Sequence, residues 1–255
     1  FLDRAWTFSM LREDAATAEM IERALAISPD EPEVLVNKAK YLQGIGDLPA
    51  ARAVLARIPR DTDNQQVEDL RVQQMVLERR FEEAARYQAE IASRRKDSSP
   101  ADSLFSQQFL GWTRSLAGDV EGARNAYQAA KAGLETLQRD QPDNPFIAST
   151  LALVEAGLGN KEAALREAER AVTLMPRSTD PVYGPIFEEY LAAIETQVGE
   201  IERAIPRLER LLTTPYGAFP LSQALLRLDP VWDPLRSHPR FKALVEGPQP
   251  KTVYQ

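Results

Sequence analysis

Gly159-Asn160-Lys161-Glu162-Ala163-Ala164-Leu165, with Ala171 seven residues after Ala164 and Pro176 twelve after it, is the stretch on which the fold turns. A glycine and an amide residue close one element, two small residues open a helix face, and a proline ends that helix. The frame recurs. With Ala164 as the reference, the matching positions are Thr17, Ala51, Ala84, Ala123 and Ala204, at successive steps of 34, 33, 39, 41 and 40 residues. Seven residues beyond each reference stand Ala24, Ile58, Ile91, Ala130, Ala171 and Leu211, all apolar. A period of roughly 34 residues is the length of a helix-turn-helix unit that hides its apolar face only by stacking on its neighbours.

Small residues at the reference position let two helix backbones approach closely, where a leucine would push them apart. Asp47, Asp119 and Asn160 follow the glycines and suit N-caps, because a side-chain oxygen there accepts from the unpaired amides of the first turn. Pro29 and Pro176 occupy the closing position, while Pro32, Pro100 and Pro145 precede the next helix, where a fixed φ is tolerated. The expectation is paired antiparallel helices to about Leu212, with turns near Gly46, Arg79, Gly118, Gly159 and Gly199 and no sheet. The longer steps of the later units predict extra residues at their joints.

This frame resembles the tetratricopeptide repeat family, with Leu110-Gly111, Leu151-Ala152 and Leu191-Ala192 at the family's Leu-Gly position and Arg71-Val72 departing from it. The resemblance covers residues 1–214 and implies an all-α fold, an α-solenoid of about six units with a C-terminal helical cap. The implied division is a superhelix over 1–214, a capping segment over 215–247 and a flexible tail over 248–255. Pro206 falls inside the second helix of the last unit, where it should kink the helix or mark a late start.

The segment from Leu221 to Phe241, with Leu228-Asp229-Pro230-Val231-Trp232-Asp233-Pro234-Leu235-Arg236 at its centre, resembles the closing segment after such arrays in bacterial multidomain signalling proteins. In those relatives the array follows a kinase, a nucleotide cyclase, or a winged-helix or TolB-like module. The resemblance therefore implies an upstream catalytic or DNA-binding domain. Pro230, Pro234 and Pro239 break the segment into short helices. Leu225, Leu228, Trp232, Leu235, Phe241 and Leu244 are expected to cover the exposed end of the last unit.

Composition fits a helical chain, with 44% hydrophobic and 27% charged residues and prolines placed mostly at joints. A net charge of −7 argues against a nucleic-acid partner, since phosphate binding needs a basic face. Arg94-Arg95-Lys96 reads as a helix C-terminus complementing the dipole, and Arg79-Arg80 as a solvated corner. No apolar run reaches the roughly 18 residues of a membrane span. Without cysteine there is no disulfide framework or thiolate metal site. The opening Phe1-Leu2-Asp3-Arg4-Ala5-Trp6 reads as the middle of a helix in a chain cut from something longer, so the compartment stays open, the cytoplasm slightly favoured over the periplasm.

Catalysis finds little footing. His238, the single histidine, reads as a surface residue at a helix start, and Glu82-Glu83 and Glu188-Glu189 as solvated faces. The expectation is a non-enzymatic chain with no cofactor and no metal.

The family's groove positions, carried over, fall on Trp6, Val36, Lys40, Gln73, Phe105, Gln108, Trp112, Leu116, Phe146, Ser149 and Leu153. Of the carboxylate-gripping set in chaperone-binding relatives only Asn37 matches; Leu2, Trp6, Gln66 and Leu70 hold the other positions, so such a clamp is not expected. The candidate partner-binding groove is Phe105, Gln108, Trp112, Leu116, Phe146, Ser149 and Leu153. Phe105, Phe109, Trp112 and Leu116 form one helix stripe, which is either core in a rotated helix or an aromatic groove wall. A protein or peptide partner is favoured. The alternative is a small-molecule-binding regulatory domain, for which an enclosed cavity is the mark.

Overall fold

A computed structural model describes residues 1–60, 62, 64–95, 99–217 and 219–253, and among them there is helix but no strand. The helices are α1 (Leu2–Met10), α2 (Asp14–Ile27), α3 (Pro32–Ile45), α4 (Leu48–Leu55), α5 (Gln65–Leu77), α6 (Phe81–Arg94), α7 (Pro100–Leu116), α8 (Val120–Asp140), α9 (Pro145–Gly157), α10 (Lys161–Leu174), α11 (Gly184–Gln197) and α12 (Ile201–Leu211). Then come α13 (Gln223–Leu228), a 3-10 helix over Pro230–Leu235, and α14 (Pro239–Glu246). The fold is all-α, an α-solenoid of helix-turn-helix units with a helical C-terminal segment.

Each hairpin turn carries one left-handed residue: Arg12, Gly46, Arg79, Gly118, Gly159 and Gly199, with φ between 61° and 86°. These residues repeat at the same 34, 33, 39, 41 and 40 steps as the small residues, five positions ahead of each. The left-handed residue reverses the chain, and the small residue then enters the helix crossing. Thr17, Ala51, Ala84, Ala123, Ala164 and Ala204 are all buried, the most accessible at 4%. The later units are longer partly through their helices and not only at the joints, since α7 has 17 residues and α8 has 21 against 8 in α4. Pro206 lies within α12, which runs past it.

Two caps form as expected. Asp47 accepts from the Ala50 amide at 3.2 Å and Asp119 from the Gly122 amide at 2.9 Å. Asn160 does not cap α10. Its amide instead donates to the buried Glu155 carboxylate at 2.6 Å, which Lys131 also meets at 2.8 Å. A buried carboxylate is costly without donors, so it outcompetes a helix end that water can reach.

Contacts divide the chain into two compact units. One joins Phe1–Glu78 to the chain from Glu209 onward, and the other is Arg79–Leu208. In the first, Leu35, Val36, Ala39, Leu55, Ile58, Val67 and Leu70 form a core between α3, α4 and α5, and Ala5, Met20 and Ile21 form a second. Gln43, buried, donates to the Leu70 carbonyl and to Gln74, which passes the chain of hydrogen bonds to the Leu48 carbonyl and Glu78.

The C-terminal segment buries Leu221, Ala224, Leu226, Trp232, Leu235, Phe241 and Val245. Leu225, Leu228 and Leu244, expected inside, are half-buried instead. Its partners include the early repeats: Ser222 Oγ donates to the Gly44 carbonyl at 2.5 Å, and Gln73 donates to Asp229 at 3.1 Å. The segment thus packs on the early repeats of its own compact unit. Val253 in the expected tail donates to the Thr213 carbonyl at 2.8 Å, while Tyr254 and Gln255 lie outside the described residues.

In the second unit Tyr127 of α8 is the wedge. A Cβ on Gly111 of α7 would lie 2.6 Å from its ring, and one on Gly157 of α9 would lie 2.4 Å from it. Glycine at both positions gives the ring its space. Around it Ala123, Ala130, Leu134, Ile147, Leu151 and Val154 form the core. Burial pushes the Tyr127 hydroxyl up to about 12, although its hydrogen bond with Ser115 works the other way. Glu195, fully buried, is matched by Arg203 at 3.2 Å and Arg207 at 3.0 Å.

Candidate functional site

The face proposed from sequence belongs to α7 and α9, both in the unit Arg79–Leu208. Ser99 caps α7 and Asn144 caps α9 by accepting from first-turn amides, with proline at the start of each helix. These ends set the rotation of the two helices.

Phe105 and Trp112 lean on the Tyr127 core while staying half-buried. Phe109 stacks on Trp112 with ring centroids 5.2 Å apart at 16°. Gln108 and Leu116 are half-buried beside them, and Leu153 packs in part on the core shared by α9, α10 and α11. The stripe therefore divides its surface between core and solvent, a result between the two readings offered by the sequence.

Phe146 is 44% exposed and meets the buried Phe187 of α11 edge-on at 5.0 Å. Tyr190 continues this row at 6.4 Å from Phe187 and is itself 37% exposed. Ser149 is only 2% exposed, and its hydroxyl donates to the Phe146 carbonyl at 3.0 Å. Its side chain serves its own helix. Phe187 and Tyr190 were not singled out in the sequence; the signal for them was an aromatic i, i+3 pair on α11, the first helix of the unit after that of Phe146.

The groove positions of the first repeats are differently placed. Val36 is buried, Gln73 is bonded to Asp229, and burial lowers the Lys40 ammonium against the opposing pull of Asp69. His238 stands at the N-cap of α14, as expected, and Arg94 in the last turn of α6, whereas Lys96 lies outside the described residues.

A cavity of about 160 Å³ lies in the first unit, lined by residues including Arg12, Asp14, Tyr41, Ser222 and Gln223. Burial raises the Asp14 carboxyl, with the Arg12 charge opposing, and raises the Tyr41 phenol, to which the Asp14 charge adds. Among the described residues no group of three or more histidines or acids is placed to hold a metal ion, and no helix is long and apolar enough to cross a membrane.

Two solved structures are similar to this chain. The crystal structure of BtubC (BKLC) from P. vanneervenii is 17% identical, covering 96% of this chain and 94% of that one at a TM-score of 0.43. Yeast Tom70 is 12% identical, covering 80% of this chain and 59% of that one at a TM-score of 0.27. No curated protein matches the sequence. Residues 13–73 match the tetratricopeptide repeat family model, which, with the repeated turns and buried alanines, supports that family for this array.

Proposed function

We propose that the chain is a non-catalytic protein–protein interaction module that recognises a partner segment through the face of Phe105, Gln108, Trp112, Leu116, Phe146 and Leu153. The observation carrying this reading is the row of partly exposed rings. Phe146 and Tyr190 stand in water while held against buried Phe187, and Trp112 is held by Phe109. Rigid, half-covered aromatics are the side chains that most often dominate an interface, because their remaining apolar area is buried with little loss of rotamer freedom. Ser149 is left out of the contact set, its hydroxyl being committed to the Phe146 carbonyl.

The cavity beside Arg12 and Asp14, at about 160 Å³, is below the roughly 300–1,000 Å³ of small-molecule sites, so it does not itself favour a metabolite-binding role. In a longer bacterial signalling protein the module would be the sensory or scaffolding end beside a catalytic or DNA-binding domain.

Panning a random dodecapeptide phage library on the purified chain tests the reading. Selected peptides should carry aromatic or aliphatic anchors and bind Trp112→Ala or Phe146→Ala at least about tenfold more weakly. The Phe146→Ala melting temperature should hardly move. Peptides that bind both variants as well as the parent chain, or lose affinity only in step with stability, overturn the site.

A further inference from the structure

Of the six left-handed turn residues, four are glycines and two are arginines, Arg12 and Arg79. A side chain is disfavoured in this conformation, so an arginine there needs a compensating role. Arg79 places its guanidinium 5.8 Å from the ring centre of Phe81, a local contact. Arg12 reaches much farther along the chain. Its Nη2 donates to the Leu211 carbonyl at 2.6 Å, its Nε to the Thr214 carbonyl at 2.9 Å and its Nη1 to the Leu221 carbonyl at 2.8 Å. All three guanidinium nitrogens are thereby committed, and the group also lies over the Tyr216 ring at 5.7 Å. Carbonyls at and beyond a helix end lack intrahelical donors, and a planar cation with several fixed donors suits such a cluster.

We infer that Arg12 is a latch, and that the surface formed by Arg12, Gly44–Gly46 and Gln73 is a docking surface whose resident occupant is the C-terminal segment of the same chain, described over 213–217 and 219–247. The occupant crosses that surface at successive points. After Arg12, Ser222 bonds the end of α3, and a Cβ on Gly46 would stand 3.2 Å from Ala224 and 3.4 Å from Leu228. Farther on, Asp229 accepts from Gln73 of α5. The chemistry is complementary. The repeats offer donors at Arg12 and Gln73, an accepting carbonyl at Gly44 and a bare glycine edge, while the segment offers carbonyls, a carboxylate, the Ser222 hydroxyl as a donor and small apolar groups. A competing partner would need the same features: a short helix with alanine and leucine on one face, followed by Asp-Pro, and an open carbonyl cluster ahead of it.

Arg12→Gly in the full chain separates a latch from an ordinary turn residue, because glycine relieves the backbone. With hydrogen exchange followed by mass spectrometry, amides of 213–235 should exchange about tenfold faster or more, with those of 120–200 unchanged. A biotinylated peptide of residues 209–247 should bind a full chain carrying Ser222→Ala and Asp229→Ala, which loosens the resident segment and leaves Arg12 in place, about tenfold or more tighter than the parent, whose surface is already filled. Arg12→Lys, which keeps the backbone conformation and loses the fork, should reproduce the faster exchange and decides the matter if Arg12→Gly fails to fold. Unchanged or slower exchange, or equal peptide binding by the parent and the Ser222→Ala, Asp229→Ala chain, overturns the latch. A concentration-dependent dimer of the parent chain that exchanges the segment between copies overturns its residence within one chain.

Discussion

In Arg79–Leu208 the defining contacts join helices close in sequence: Tyr127 wedges between Gly111 and Gly157, and Arg203 and Arg207 answer Glu195 from the next helix. In the other unit, Arg12 finds partners 199, 202 and 209 residues away. The same repeat thus serves two kinds of stability. Local stacking requires only short loops to close, whereas the Arg12 contacts cannot form until the chain beyond α12 is present. Loop closure grows slowly with length, so such contacts are affordable at equilibrium but form late in folding.

The largest test of this contrast is Trp232→Ala. The ring is 2% exposed, and its removal should cost about 3–5 kcal/mol in urea unfolding. Hydrogen exchange should place the loss in residues 1–78 and 209–253 and leave 120–200 protected. A uniform loss would mean that the two units share one stability and would break the comparison.

Gly157→Ala probes the opposite unit. Its Cβ would meet the Tyr127 ring at 2.4 Å, and overpacking there should cost about 1–3 kcal/mol. Adding Tyr127→Leu should recover part of that cost, giving a double variant less destabilised than the two single changes combined. Simple additivity would show that the wedge is not what requires glycine.

The smallest effects separate the two arginine turns. Gly159→Ala has open space around the new atom but a φ of 81°, so it should lose about 1 kcal/mol through backbone conformation alone. Arg79→Gly should gain up to about 1 kcal/mol by the converse argument. Urea midpoints measure both, and Arg12→Gly, which loses the latch, should show the sign opposite to Arg79→Gly.

The architecture was largely legible because it rests on spacing. One turn conformation and one close crossing recur, and their residue requirements stand in the sequence as glycines and alanines. Arg12 was obscured for the same reason: an arginine in a glycine position reads as a weak match, and only the fold brings the Leu211 and Leu221 carbonyls to it. Asn160 was misread because an amide can donate or accept, and which it does depends on the burial of Glu155. In the candidate site, helix periodicity gathered Phe105, Phe109 and Trp112 into one stripe. It gave no depth for Ser149, which faces inward, and did not bring Phe187 and Tyr190 beside Phe146.

The discontinuous unit also has a mechanical consequence. Residues 1 and 253 belong to the same compact unit, while Arg79–Leu208 is an excursion between its two parts. Tension applied at those residues would load the Val253–Thr213 bond, the Arg12 contacts and the Trp232 packing before the excursion felt a pull. The middle repeats would remain slack until that clasp opened, then extend in a second event. The order of rupture is set by connectivity and does not require the middle repeats to be the stronger part.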